Sequence, residues 1–174
     1  TLHLALKLLV EPTENGYEKT PLALALSENY AEILVDEYQD VNKAQDMIFA
    51  ALSKDENNLF VVGDVKQSIY RFRQAMPEIF LSRRDGMEEY ENGNYPAKVT
   101  LGKNFRSRKG ILDGINHIFR YLMNRKTCGI DYENGEQLEF GGNYPTEDST
   151  DVNIHIVESD NPRGNDLVAE ARHI

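Results

Sequence analysis

The chain has 174 residues, enough for one ordinary domain or two small pieces, and its 40% apolar and 28% charged content are those of a globular protein with a core. A single cysteine, Cys128, excludes a disulfide framework and a cysteine-based zinc site and fits a reducing, cytoplasmic setting; no apolar run is long enough to span a bilayer or resembles a signal peptide. The net charge of −10 argues against nucleic acid as a partner, but it is an average and the distribution of charge matters more. Lys98, Lys103, Arg106, Arg108 and Lys109 fall in one acid-free stretch, and Arg71 and Arg73 in another, residues 65–77. Either stretch is a solvated basic face or a local phosphate-binding surface.

Residues 1–10 carry Leu2, Ala5, Leu6 and Leu9 on one helical face. That pattern starts without a capping signal, so the chain is expected to be cut from something longer. Residues 11–19 read as a polar loop around Asn15-Gly16. Thr20-Pro21 reads as an N-cap with proline at the first helical position, opening a short helix over 22–30. A strand over 31–36 follows, then an amphipathic helix marked by Ala44, Met47, Ile48, Ala51 and Leu52. Leu59 to Val62 is a second strand, ending at Gly63-Asp64. Two strands separated by a helix predict a βαβ unit, hence an α/β fold with a parallel sheet.

Residues 65–75 form a polar-aromatic loop, and Pro77 opens a helix through about Tyr90. Residues 91–96, Glu-Asn-Gly-Asn-Tyr-Pro, are rich in turn residues. A domain boundary is placed there, giving pieces 1–94 and 95–174. A third strand is expected over 97–101. Ser107 is expected to cap a helix whose inner face is Ile111, Ile115, Ile118, Phe119 and Leu122. Residues 128–150 read as irregular. Residues 151–159 alternate Val152, Ile154 and Ile156 and predict a strand, followed by a turn over 160–164 and a helix from Asn165.

The stretch that organises this pattern is Ile33-Leu34-Val35-Asp36-Glu37-Tyr38-Gln39-Asp40. Its short apolar run predicts a strand buried on both faces. The acids then leave the sheet at its carboxyl edge, where α/β folds bind ligands. There one carboxylate can hold Mg²⁺ on a nucleotide while its neighbour orients or deprotonates a water. An acidic first turn after a core strand is the alternative. The second strand ends likewise, in Gly63-Asp64-Val65-Lys66-Gln67-Ser68-Ile69-Tyr70-Arg71-Phe72-Arg73-Gln74-Ala75. An amide near the nucleotide can sense a phosphate, and aromatics beside arginines suit stacking on single-stranded bases.

These two stretches, with Asn104-Phe105-Arg106-Ser107, resemble motifs II, III and IV of the superfamily 1 UvrD-like helicases, in that order. The wording Gly-Asp-Val-Lys-Gln-Ser-Ile-Tyr, followed by Phe72 rather than Trp, is closer to the helicase–nuclease branch of AddA and RecB. So is Gly129-Ile130-Asp131-Tyr132. The resemblance implies a RecA-like parallel sheet with flanking helices: residues 1–94 as the back of a first motor domain, 95–174 as the front of a second. It implies an ATP-driven, Mg²⁺-dependent DNA helicase with an exonuclease in the parent, processing double-strand ends for recombinational repair. It further implies single-stranded DNA and duplex ends as partners, and an AddB-like second subunit.

Position by position, Asp36 resembles the Mg²⁺-holding acid and Glu37 the general base. Gln39 and Asp40 complete the signature. Gln67 matches the glutamine that meets the γ-phosphate. Tyr70, Phe72 and Arg73 match positions that contact single-stranded DNA, Phe72 offering a smaller stacking face than Trp. Phe105 matches an adenine-stacking aromatic, and Arg106 an arginine that stabilises transition-state charge on the γ-phosphate. A repair helicase without nuclease, or a non-catalytic DNA-binding module, are the competing readings. No Gly-x-x-x-x-Gly-Lys-Ser/Thr occurs in these residues, so the phosphate-cradling loop and its lysine are absent. The 174-residue chain by itself is therefore expected to be inactive.

Overall fold

The computed structural model describes residues 2–14, 16–145 and 152–155. They fall into two compact units, within residues 1–100 and within residues 101–174.

In the first unit, helix α1 (Leu2–Leu9) leads into a two-stranded antiparallel ribbon, β1 (Val10–Thr13) with β2 (Gly16–Lys19). Residues 11–19 are therefore a hairpin rather than a loop. Asn-Gly is a hairpin signal, but Pro12 and the charged flanks hide the alternation that would have exposed it. Thr20 caps helix α2 (Pro21–Ser27) as expected, its Oγ1 accepting from the Ala23 N–H at 3.2 Å. The same hydroxyl donates to the Leu8 carbonyl at 2.7 Å, tying the end of α1 to the start of α2. Leu9, Ala23 and Ala51 form the buried core of this region, with Val10, Leu26, Ile48 and Leu52 packed against it.

Helix α3 (Lys43–Leu52) lies between strands β3 (Ile33–Val35) and β4 (Leu59–Val61), which pair in parallel, Leu34 opposite Phe60. This is the predicted βαβ unit. The expectation of a strand buried on both faces is corrected: Leu34 is 70% exposed and Phe60 59% exposed. They lie side by side on one open face, while Ile33, Val35, Leu59 and Val61 turn to the partly buried one. The apolar run reports a strand, and the period of two decides which members are covered.

Helix α4 (Pro77–Asp85) stops at Gly86, short of Tyr90, because the next residues pair as β5 (Glu88–Glu89) with β6 (Ala97–Lys98) in parallel. The expected strand over 97–101 is thus two residues long and belongs to the first unit.

The second unit has a parallel pair, β7 (Lys103–Asn104) with β8 (Glu139–Phe140), and helix α5 (Lys109–Leu122). Ser107 is not its cap. Arg108 is the N-cap residue and makes no side-chain cap bond, and the Ser107 N–H itself donates to Asn104 Oδ1 at 2.9 Å. The buried face is also rotated from the expected one. Leu112 is fully covered, whereas Ile111 and Leu122 are exposed. The cover comes from the segment read as irregular, where Ile130 and Tyr132 are buried. The Tyr132 ring meets Phe119 edge-on at 5.8 Å, and its hydroxyl donates to Asn116 Oδ1 at 2.7 Å. Asn116 also bonds both backbone groups of Leu138, so one polar helix residue clasps two loop segments. Gly114 leaves room for Val152, which would stand 2.5 Å from an added Cβ. Of the predicted strand over 151–159, the described residues 152–155 are not in a strand. The turn over 160–164 and the helix from Asn165 lie outside the described residues.

Candidate nucleotide and nucleic-acid site

The parallel pairing of β3 and β4 continues past the strands. The Val62 N–H donates to the Val35 carbonyl at 2.9 Å and the Tyr38 N–H to the Val62 carbonyl at 2.9 Å. This zips the two carboxyl ends together, so the acid pair and the Gly63 loop leave the sheet side by side. Asp36 is exposed and its Oδ1 accepts from the Glu37 N–H at 2.8 Å. Glu37 is exposed too, at φ 51°, a left-handed conformation uncommon for a residue with a side chain. The chain then tightens into a 3₁₀ turn, Tyr38–Asp40.

Gln39 is the hinge pin of this arrangement. It is 1% exposed. Its Oε1 accepts from the Asp64 N–H at 3.0 Å, and its Nε2 donates to Glu37 Oε2 at 2.6 Å. Gly63 permits the approach: a Cβ there would lie 2.6 Å from Gln39 Oε1. What approaches this glycine is the Gln39 side chain. Asp40 Oδ1 is buried with no hydrogen-bond partner among the described residues. Burial, and then the nearby Glu37 charge, raise its carboxyl above the usual range.

Asp64 organises the second loop. It caps a 3₁₀ turn, Val65–Gln67, by accepting from the Lys66 N–H at 3.0 Å. Its carboxylate also meets Lys66 Nζ at 2.9 Å and Gln67 Nε2 at 3.1 Å. Burial acts to raise the Asp64 carboxyl, but the bonds from Lys66 and Gln67 outweigh it and hold it low. Asp64 was not among the expected site residues; its signal was only its position at a strand end.

Further on, Tyr70, Phe72 and Arg73 come together. Arg73 lies over both rings, 5.1 Å from the Tyr70 centroid and 5.4 Å from that of Phe72, and the rings are 5.9 Å apart. Phe72 is 76% exposed, which excludes a core role for it in this unit. Arg71 pairs with Glu78 at the start of α4.

Behind the acids, a buried polar cluster locks the turn to two helices. The Tyr38 ring is buried between Phe49 and Phe80, at 6.1 and 6.2 Å. Its hydroxyl donates to Asp46 Oδ1 at 2.8 Å, and burial with that bond raises the phenol above its ordinary value, so it stays a donor. Arg83 of α4 donates to Asp46 Oδ1 at 2.7 Å and to Glu56 at 2.7 Å, and Lys43 to Asp46 Oδ2 at 3.0 Å. Asn42 and Gln45 form a capping box at the start of α3. That box was legible as Asn-x-x-Gln before an apolar run; the Tyr38–Asp46–Arg83 cluster had no sequence signal.

Phe105 and Arg106 belong to the second unit. Both are exposed, on a turn held by Asn104 Oδ1, which accepts from the Arg106 and Ser107 N–H groups at 3.0 and 2.9 Å. The Tyr144 hydroxyl lies within hydrogen-bond reach of both the Phe105 and Arg106 carbonyls, which share its one proton. The Phe105 ring lies against Gly141, where an added Cβ would stand 2.8 Å away.

Residues 2–88 match the family described as the UvrD/REP helicase N-terminal domain. The chain is similar to curated proteins named as the A subunit of an ATP-dependent helicase/nuclease. It is 44% identical to that of Clostridium acetobutylicum over 146 residues, covering 82% of this chain and 12% of the relative. It is 39% identical to that of Clostridium botulinum (strain Alaska E43) over 186 residues, covering 99% and 15%. For Ruminiclostridium cellulolyticum the figures are 41% over 167 residues, 90% and 13%. The chain thus spans 12–15% of the length of these relatives.

Proposed function

The chain belongs to the UvrD/REP helicase N-terminal domain family, and from that premise we propose that it is a segment of an AddA-like, ATP-driven DNA helicase–nuclease that processes double-strand ends. It carries the carboxyl-edge acids and DNA-facing loop of a first RecA-like motor domain and the start of a second. One observation carries the reading: the zipped ends of β3 and β4 present Asp36 and Glu37 beside a loop that ends in an exposed aromatic–arginine cluster.

A magnesium ion on the phosphates of ATP supplies the charge that neutralises the transferring group. Among the described residues no group of three metal-ligating side chains occurs. Magnesium on a nucleotide needs only one or two carboxylates beside the phosphates, and exposed Asp36 fits that donor set. Glu37 takes the proton of the attacking water. Gln67, held by Asp64, reports phosphate occupancy to the loop. Tyr70 and Phe72 stack on bases of a single strand while Arg73 meets its backbone. Phe105 stacks on adenine and Arg106 stabilises charge on the γ-phosphate. An AddB-like partner and a cytoplasmic setting complete the proposal.

Two expected results test it. In the full-length protein, Phe72→Ala should weaken single-stranded DNA binding by about 1–3 kcal/mol, with an unchanged melting temperature because the ring is solvent-facing. Unchanged affinity in a fluorescence titration would remove Phe72 from the DNA contact. The isolated 174-residue chain, lacking a phosphate-cradling loop, should show no magnesium-dependent ATP hydrolysis. An activity abolished by Glu37→Ala in that chain would overturn the expectation.

A further inference from the structure

We infer that Gln39 is a positioning residue for the hydrolytic step, its side-chain amide aiming the Glu37 carboxylate and tying that aim to the Asp64 loop. The inference rests on the reading of Glu37 as the general base.

The orientation of the amide is forced. The Asp64 N–H at 3.0 Å is a donor, so the atom facing it is the oxygen. The nitrogen then faces Glu37 Oε2, at 2.6 Å. The side chain has no freedom to turn otherwise, being 1% exposed and backed by Gly63, where even a methyl group would collide with it. Glu37, by contrast, is exposed and sits on a left-handed backbone. An exposed glutamate samples several rotamers; one bond from a buried, immobile donor selects among them. The same amide reads the position of Asp64, whose carboxylate holds Lys66 and Gln67. A shift of that loop therefore reaches Glu37 through a single rigid group.

The experiment separates the two halves of the amide in the full-length protein, purified with any partner that accompanies it. Gln39→Glu keeps an acceptor for the Asp64 N–H but sets a second, buried carboxyl against Glu37: ionised it cannot donate, and protonated it shares its proton with Glu37 and lowers that residue's basicity. Gln39→Met keeps the volume and loses both bonds. Both variants are expected to lower kcat for DNA-stimulated ATP hydrolysis by about 10²-fold, the cost of a reacting group displaced by about 1 Å. KM for ATP and the affinity for a fluorescent ADP analogue should be unchanged. Wild-type kcat in Gln39→Glu, with Gln39→Met impaired, would mean that the amide only anchors the loop and would overturn the inference. Wild-type kcat in both would overturn it as well. If Gln39→Met does not fold, Gln39→Glu decides alone. A parallel Glu37→Gln variant isolates the premise: if it too hydrolyses ATP at the wild-type rate, the reading of Glu37 fails. If it is dead while Gln39→Glu is fully active, only the role of Gln39 fails.

Discussion

Glu37→Gln in the full-length protein is expected to lower ATP turnover by about 10²–10⁴-fold, the range of general acid–base contributions, with nucleotide binding intact. The substitution keeps the shape of the side chain and removes its basicity. Glu37 is exposed and contributes nothing to the core, so the fold should not change. The carbonyl oxygen of a glutamine at 37 can still accept from Gln39 Nε2, which leaves Gln39 satisfied. Asp36, the proposed magnesium ligand, is untouched. Steady-state hydrolysis beside equilibrium binding of a fluorescent ADP analogue separates the two quantities. Loss of binding with the loss of turnover would assign Glu37 to the metal rather than to the water.

The second large effect concerns stability. Arg83→Met should destabilise the first unit by about 3 kcal/mol, the lower end for removing one partner of a buried ion pair. Both partners are well covered: the Arg83 side chain is 16% exposed and that of Asp46 8%. The substitution leaves Asp46 with Tyr38 and Lys43, and loses the guanidinium that joins α4 to α3 and to Glu56. Adding Asp46→Asn, which removes the uncompensated charge and keeps an oxygen acceptor for the buried Tyr38 hydroxyl, should restore much of the loss. A double variant as unstable as Arg83→Met alone would show that the packing of α4, not the stranded carboxylate, carries the effect.

The pH dependence of that loss has a definite sign. Burial raises the Asp46 carboxyl, but hydrogen bonds from Arg83, Lys43 and Tyr38 outweigh it and the net shift is downward from 3.8. A carboxyl lowered on folding contributes stability above its unfolded pKa and loses it as pH falls through the folded one. The gap between wild type and Arg83→Met should therefore be full at neutral pH and narrow below about pH 4.

Much of the candidate site was legible because motif residues carry local chemistry. Asp36, Glu37, Gln67 and the Tyr70–Arg73 loop follow strands whose existence an apolar run announces. The environment of those residues was not legible. Nothing in the spacing of Tyr38, Asp46 and Arg83 says that they meet, because they come from a turn and two helices. The burial of Ile130 and Tyr132 was hidden in a glycine-rich, acidic stretch, and Tyr132 covers α5 at Phe119 and Asn116. Ser107 looked like a cap, yet Asn104, three residues earlier, holds the turn.

The sequence alone set the succession α2, β3, α3, β4 around the acids, the parallel pairing of β3 with β4, and which acids stand at the sheet's edge. Those follow from hydrophobic period and from polar residues at fixed offsets, both local properties of the chain. That Leu34 and Phe60 face outward, that Arg83 reaches Asp46, and that Gln39 spans from Glu37 to the Asp64 backbone emerge only in three dimensions. Each of those depends on which segments approach one another in space, and a buried amide shows its partners only when both are in place.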